Sequence, residues 1–453
     1  MRADEGPTDG VSRLTELLRF EPDADIPTAA PPVDPARRTR RRRRRLLVGG
    51  IAAAVVAALL GGYVTYALTA PVGAATLDAA APEVEVPPAA QVALPVDGAY
   101  AVSVSGADAY LGATASGIWA IGADDGPRPM ASISKLVTAL VVLNAKPLAD
   151  ANDPGPTLTF SRADHALYDK YYLLGATITA MPTGSTMSER DALEMLLVVS
   201  ASNYAEAVST WAFGSQSAFV RATRDWLATN GLAATSMVEP TGIDPRNTST
   251  PTDLVALAKI AMANPVVAQI VGETTLDVPG IPAALNTNDL LGVDGITGIK
   301  TGTLEESGSN LLFSATLEVG LAEPLSVVGV ILGGFTHGSV NGEVRALLQS
   351  IQAGFHTVTL GERGDEIGTY STAWGESARI LLGESASVLT WSDTAVTATF
   401  TADPITTGTD GDAVGTVTWT AGGETLTAPL VLDGTIDPPD AWWRLTHPFE
   451  LGE

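Results

Sequence analysis

From Leu46 to Leu68 the chain runs for 23 residues without a charged side chain, directly after six consecutive arginines, Arg40 to Arg45. As a helix such a run is about 34 Å long, enough to cross the hydrocarbon core of a bilayer. Tyr63 and Tyr66 lie near its far end, where amphipathic rings favour the membrane–water interface. The arginines hold the N-terminal side in the cytoplasm. A cleaved signal peptide would have a shorter apolar region and a basic flank nearer the start; Thr69-Ala70 and Ala74-Ala75 are the places where cleavage could still fall. The run therefore reads as a single-pass anchor that divides the chain between two compartments.

Charge follows that division. The net charge is -25, yet residues 1–45 hold 11 Arg against 8 acidic residues. Everything beyond them is strongly acidic, which opposes binding to nucleic acid because phosphates are repelled. The bland account of that acidity is solubility. Residues 1–45 read as a disordered basic cytoplasmic tail, with a short helix around Val11–Phe20. Residues 69–95, with Pro82, Pro87, Pro88 and Pro95, read as an Ala/Pro spacer. The chain has no cysteine, which excludes thiol catalysis, disulfides and cysteine-bound zinc.

Residues 96–360 mix strand and helix patterns. Tyr100–Val104, Gly117–Ile121, Ser309–Leu317 and Leu325–Leu332 read as strands, and Ser134–Leu143, Asp191–Val199 and Tyr204–Trp211 as helices. Residues 361–453 change character. Val396, Ala398 and Phe400 alternate with threonines, and two further alternating runs flank Ala421-Gly422-Gly423-Glu424, a hairpin signature. This last segment reads as a small all-β domain, with Trp442-Trp443 either a surface docking element or, as is more common for such a pair, packing a terminal strand.

Lysine is scarce, five in the whole chain, and two of the five sit in settings that suit chemistry. The first is Ser132-Ile133-Ser134-Lys135 at the start of an apolar helix. Positions i and i+3 share a helix face, so the Ser132 hydroxyl and the Lys135 amine can meet. Burial would lower the amine's pKa, and a neutral amine can act as general base for a serine nucleophile. Ser134 lies on another face and reads as structural. The second setting is Lys300-Thr301-Gly302-Thr303, ending Gly295-Ile296-Thr297-Gly298-Ile299. A strand with glycines admits a ligand close to its backbone, and its lysine and hydroxyls suit a carboxylate. A third is the turn Ser200-Ala201-Ser202-Asn203 after an apolar helix, a polar finger if it reaches a cleft.

These three lie in a telling order: Ser-x-x-Lys, the Ser/Asn turn 68 residues later, and Lys-Thr-Gly 100 residues beyond that. Penicillin-recognising Ser–Lys acyl-transfer enzymes carry such a set. The chain resembles the D-alanyl-D-alanine carboxypeptidases among the low-molecular-mass penicillin-binding proteins. The likeness extends to Pro129–Leu136, to Thr241-Gly242-Ile243-Asp244 with Ser249–Leu254, and to Gly298–Thr303. The resemblance implies an α/β (α+β) transpeptidase/β-lactamase-like domain over residues 96–360: an antiparallel sheet flanked by helices, a mostly helical subdomain, and the site between them. It implies that Ser132 attacks a peptidoglycan stem peptide ending in D-Ala-D-Ala, that Lys135 takes the serine proton, and that Ser200 returns one to the departing D-alanine. Lys300, Thr301, Gly302 and Thr303 would bind the terminal carboxylate, with backbone N–H groups of Ser132 and Thr303 as oxyanion hole. β-Lactams would be covalent inhibitors, and neither metal nor cofactor is required. In the family's second motif the third place is usually Asn. Here it is Ser202 and Asn203 follows, so either Ser202 replaces the amide or a shifted turn brings Asn203 into the site.

Two alternatives remain. A serine β-lactamase on the same fold would need a counterpart of the class A deacylating glutamate between Ser200 and Lys300; Glu239, before Pro240, fits the carboxypeptidase-like stretch instead. A catalytically weakened wall-binding protein is the reading that Ser202 favours. His165, His337, His356 and His447 have no metal-ligand spacing and read as structural or surface residues.

Overall fold

The computed structural model describes residues 35–452; the helix expected near Val11–Phe20 lies outside them. The chain divides into two compact units. One comprises the N-terminal part to Gly73 together with Pro439 onward, and the other Ala74–Pro438.

In the first unit a single helix runs over Pro35–Thr69, and its Thr39–Thr69 portion is long and apolar enough to cross a membrane. Leu46, Leu47, Ile51, Val55, Leu59 and Leu60 are all exposed, so no described residue covers the apolar surface of this stretch. The helix starts earlier than the sequence suggests. Arg40 to Arg45 are helical rather than disordered, because arginine is a good helix former and extending an existing helix avoids the cost of nucleation. The C-terminal segment docks near Thr69. Its short helix Ala441–Thr446 is capped by Asp440, whose carboxylate accepts the Trp443 N–H at 2.7 Å. Tyr63 donates to the Leu445 carbonyl at 2.5 Å, and Arg444 Nη1 to that of Ala70 at 2.7 Å. Trp442 and Trp443 thus sit on a helix and not on the terminal strand expected of them: Trp443 stacks on His447 and Trp442 is 73% exposed. The cap and the prolines at 438 and 439 explain the change, since they end the preceding extended run.

In the second unit a five-stranded antiparallel sheet has the order Ile296–Leu304, Gly308–Leu317, Leu325–Gly334, Ala99–Ser105, Ala120–Gly122. Its strands alternate between two apolar clusters. Leu312, Val328 and Val330 join the helix Pro251–Ala263 on one face, whereas Leu311, Phe313, Val327 and Ile331 join the helix His337–Ala353 on the other. With both faces covered, the strands read as nearly unbroken apolar runs. The first cluster continues into a helical layer: Ser134–Ala145, Glu189–Leu197, Ser202–Phe213 and Gln216–Thr229. The strand expected over Gly117–Ile121 forms only at Ala120–Gly122, because Gly117 closes a turn onto the Thr114 carbonyl at 2.9 Å.

A six-stranded sheet follows, in the order Thr76–Ala79, Glu366–Ser371, Ser377–Leu382, Glu424–Asp433, Ala413–Ala421, Val396–Ala402. The pair Phe355–Gly361 and Ala386–Trp391 adds Val358, Leu360 and Val388 to the same core, around Trp419, Tyr370 and Leu430. The hairpin turn joins Ala421 to Glu424 in register. Two boundaries differ from the sequence reading. This β region takes in the strand from Phe355, and the segment read as a spacer supplies the edge strand Thr76–Ala79. Between Pro71 and Pro82 the chain has no proline, so its N–H groups can pair with the otherwise open edge of Glu366–Ser371. Further along, Ala93 N–H donates to Ser350 Oγ and Asp97 N–H to Glu343.

Candidate active site

The helix Ser134–Ala145 is preceded by a tight turn, Ala131–Ile133, that carries Ser132. Ala131 has φ +49°, a left-handed conformation unusual for a residue with a Cβ. Two glycines make the turn possible. A Cβ on Gly242 would sit 1.9 Å from the Ala131 carbonyl oxygen, and one on Gly302 would sit 3.1 Å from the Ser132 nitrogen. The second contact matters most, because Gly302 belongs to the Lys-Thr-Gly strand. It brings the first and third motifs together although 170 residues separate Ser132 from Gly302.

Lys135 follows Ser132 by one helical turn and is 1% exposed. Its Nζ lies 2.9 Å from Ser132 Oγ and 2.8 Å from the Thr241 carbonyl oxygen. Burial draws the amine's pKa down to about 7, with the Glu239 carboxylate acting in the opposite sense. Near neutral pH a large share of Lys135 is therefore an uncharged amine in contact with a hydroxyl, which is the state a general base needs. Ser134 points elsewhere and accepts from Asn247 Nδ2 at 3.1 Å.

Lys300 is equally buried, on the edge strand Ile296–Leu304. Burial, and then the charge of Lys135, hold its pKa well below that of an ordinary lysine. Its Nζ meets Thr287 Oγ1 at 3.2 Å, and Thr301 Oγ1 meets the same oxygen at 2.8 Å. Thr303 Oγ1 lies 2.5 Å from His337 Nε2. Thr287 and His337 are thus part of the site, and the sequence reading missed both. The signal for Thr287 was the polar run Asn286-Thr287-Asn288-Asp289 just ahead of the strand; His337 gave none, since only the fold brings the start of its helix to Thr303.

Ser200 follows the helix Glu189–Leu197 in a left-handed conformation, φ +64°. The carbonyl of Val198, two residues earlier, accepts the Thr287 N–H at 3.1 Å, so this turn abuts the segment that contacts Lys300. Ser202 opens the next helix. Ser202 and Asn203 are both buried. Asn203 uses both halves of its amide on Thr179, accepting from its N–H at 3.2 Å and donating to its carbonyl at 2.7 Å. Its amide thereby pins the Thr179 loop to the start of this helix.

Residues 111–336 match the family of D-alanyl-D-alanine carboxypeptidases (peptidase S11). Among curated relatives, a D-alanyl-D-alanine carboxypeptidase, DacD, of Escherichia coli (strain K12) is 28% identical over 262 residues, 56% of this chain and 65% of that protein. A D-alanyl-D-alanine endopeptidase of Pseudomonas aeruginosa is 30% identical over 217 residues, 46% of this chain and 66% of that one. The chain thus spans about two thirds of the length of these relatives. Among solved structures, penicillin binding protein 6B from Escherichia coli superposes with a TM-score of 0.51 at 21% identity, covering 79% of this chain and all of that one. Penicillin binding protein 5 from Haemophilus influenzae does so with a TM-score of 0.50 at 20% identity, over 78% and 100%. Both likenesses establish the fold.

Proposed function

The chain belongs to the D-alanyl-D-alanine carboxypeptidase family, and from that premise we propose that it removes the terminal D-alanine of peptidoglycan stem peptides through an acyl-enzyme on Ser132. The observation that carries this reading is the buried Lys135 amine 2.9 Å from the Ser132 hydroxyl. Neutral Lys135 takes the hydroxyl proton as Ser132 Oγ attacks the penultimate D-alanine's carbonyl carbon. Backbone N–H groups of Ser132 and Thr303 receive the developing oxyanion, each contributing about 3 kcal/mol. The carbon–nitrogen bond breaks as Ser200 delivers a proton to the departing amine, with Ser202 beside it. Lys300 and Thr303 hold the terminal carboxylate; Thr287 orients Lys300 and Thr301. Water then cleaves the ester and frees Ser132. A β-lactam enters the same pathway and remains as a covalent adduct.

We assign the helix Thr39–Thr69 as a single-pass anchor with the arginine-rich side in the cytoplasm and the enzyme outside the cell. The test is mass spectrometry of the full chain treated with penicillin. The expected adduct maps to the peptide holding Ser132 and vanishes in Ser132→Ala; an unmodified wild-type protein would sink the proposal. An adduct that turns over rapidly would point to a β-lactamase. The likeness to the Pseudomonas aeruginosa endopeptidase favours a second reading, in which the scissile D-alanyl bond lies in a cross-link. Parallel assays on a D-Ala-D-Ala pentapeptide and a cross-linked dimer separate the two.

A further inference from the structure

The helix that carries Lys135 is gripped along one side by the segment Val238–Asn247. Lys135 Nζ donates to the Thr241 carbonyl at 2.8 Å, Thr138 Oγ1 to that of Pro240 at 2.7 Å, and Asn247 Nδ2 to Ser134 Oγ at 3.1 Å. Asn247 also accepts the Met130 N–H at its own carbonyl, 3.0 Å away, at the entrance to the nucleophile turn. Gly242 presses on Ala131 from the same segment. One short loop therefore sets the place of the amine and of the turn that bears Ser132.

What shapes that loop is the side chain of Glu239. Its Oε2 accepts from Thr241 N–H at 2.7 Å and Thr241 Oγ1 at 2.6 Å. Its Oε1 accepts from Gly242 N–H at 2.6 Å, Asn247 Nδ2 at 3.0 Å and Asp244 N–H at 3.4 Å. Two successive backbone N–H groups, those of Thr241 and Gly242, thus converge on one carboxylate. That convergence turns the intervening Thr241 carbonyl away from Glu239 and towards Lys135. A neutral side chain of the same shape could not satisfy all five donors, because an amide carries hydrogens on one of its two ends.

We propose that Glu239 is a positioning residue for Lys135, its carboxylate folding the Pro240–Asp244 turn so that the Thr241 carbonyl holds the amine against Ser132. The inference rests on the acyl-enzyme reading above and deepens it. The charged group that acts on Lys135 is Glu239 from this loop, and Lys135 in turn acts on Lys300 of the edge strand. On the far side of Glu239 lie Tyr171 and the ion pair of Lys170 with Glu206, lining a cavity of about 460 Å³ with Thr241 and Asp244. Glu239 favours the charged form of Lys135, so removing its charge lets the amine become neutral at lower pH.

Two variants of the full chain separate charge from reach, with acylation by a fluorescent penicillin followed from pH 5 to pH 9. Glu239→Gln lowers the plateau rate by about tenfold and moves the acid limb to lower pH by about half a unit. Glu239→Asp keeps the charge but shortens the arm, so its plateau falls similarly while the limb stays in place. Wild-type plateaus in both variants overturn the inference, as does a Gln variant whose rate falls with its limb unmoved, which is the mark of a purely structural role. Where the Gln variant fails to fold, a wild-type plateau in the Asp variant is overturning on its own. A wild-type protein that takes up no penicillin at Ser132 removes the acyl-enzyme reading and this inference with it; a labelled wild type leaves only Glu239 at stake.

Discussion

The interior of the helix–sheet body and that of the β region beyond Phe355 obey different rules. The body buries Lys135, Lys300, Glu189 and Glu194. Among the described residues from 355 to 438, a single polar side chain, Thr390, is buried, and no charged one. Trp419, Tyr370, Leu430 and Leu432 fill that core instead, and threonines take the wet face of its strands. Buried charge is costly unless it is paired, and an apolar replacement is often no less stable. The β region needs only to hold its shape. The body keeps desolvated lysines where a reaction would use them.

That contrast can be broken most directly at Lys135. Replacing it with methionine should lower penicillin acylation by about 10³-fold or more, the scale of a lost general base. The melting temperature should stay near that of the wild type. In the wild type the rate should climb as pH rises through about 7, since the protonated amine below that point cannot accept the serine proton. A large fall in melting temperature would instead make Lys135 a structural ion. Trp419→Ala should do the reverse. Emptying the β core should cost about 3–4 kcal/mol in denaturant unfolding and leave the acylation rate within about twofold. A larger loss of activity would mean that the two cores are not independent.

The smallest effect sharpens the comparison within the body. Glu189 is fully buried and neither carboxylate oxygen has a hydrogen-bond partner among the described residues. Burial pushes its pKa up to about 7 from the 4.5 of a free glutamate. The folded state therefore binds this proton more tightly than the unfolded state. The group's stabilising share is complete below pH 4.5 and is lost as pH rises towards 7. Glu189→Gln imitates the protonated form, so it should match the wild type at pH 4.5 and exceed it by on the order of 2 kcal/mol at pH 8. Equal unfolding curves at both values would show that water reaches the carboxyl.

Much of the fold was legible because its elements carry local periodicity. The strands Ser309–Leu317 and Leu325–Leu332 and the hairpin at Gly422-Gly423 emerge from apolar runs and turn residues with errors of a residue or two. Edges were harder. Thr76–Ala79 has too little apolar pattern to announce a strand, and it becomes one only because Glu366–Ser371 offers it a ladder. Arg40 to Arg45 likewise read as a charged tail until the helix that follows extends through them.

The amino-acid sequence alone settled that Ser132 and Lys135 lie one turn apart at the start of an apolar helix and that a long apolar run precedes the body, since both follow from local spacing. Only the tertiary structure decided that Lys135 loses water, that Gly302 rests against Ser132, that Thr287 joins Lys300 to the second turn, and that Asn203 is occupied with Thr179. Those facts depend on which distant segments come to lie side by side, and a pattern repeating every two or four residues holds no record of partners tens of residues or more away.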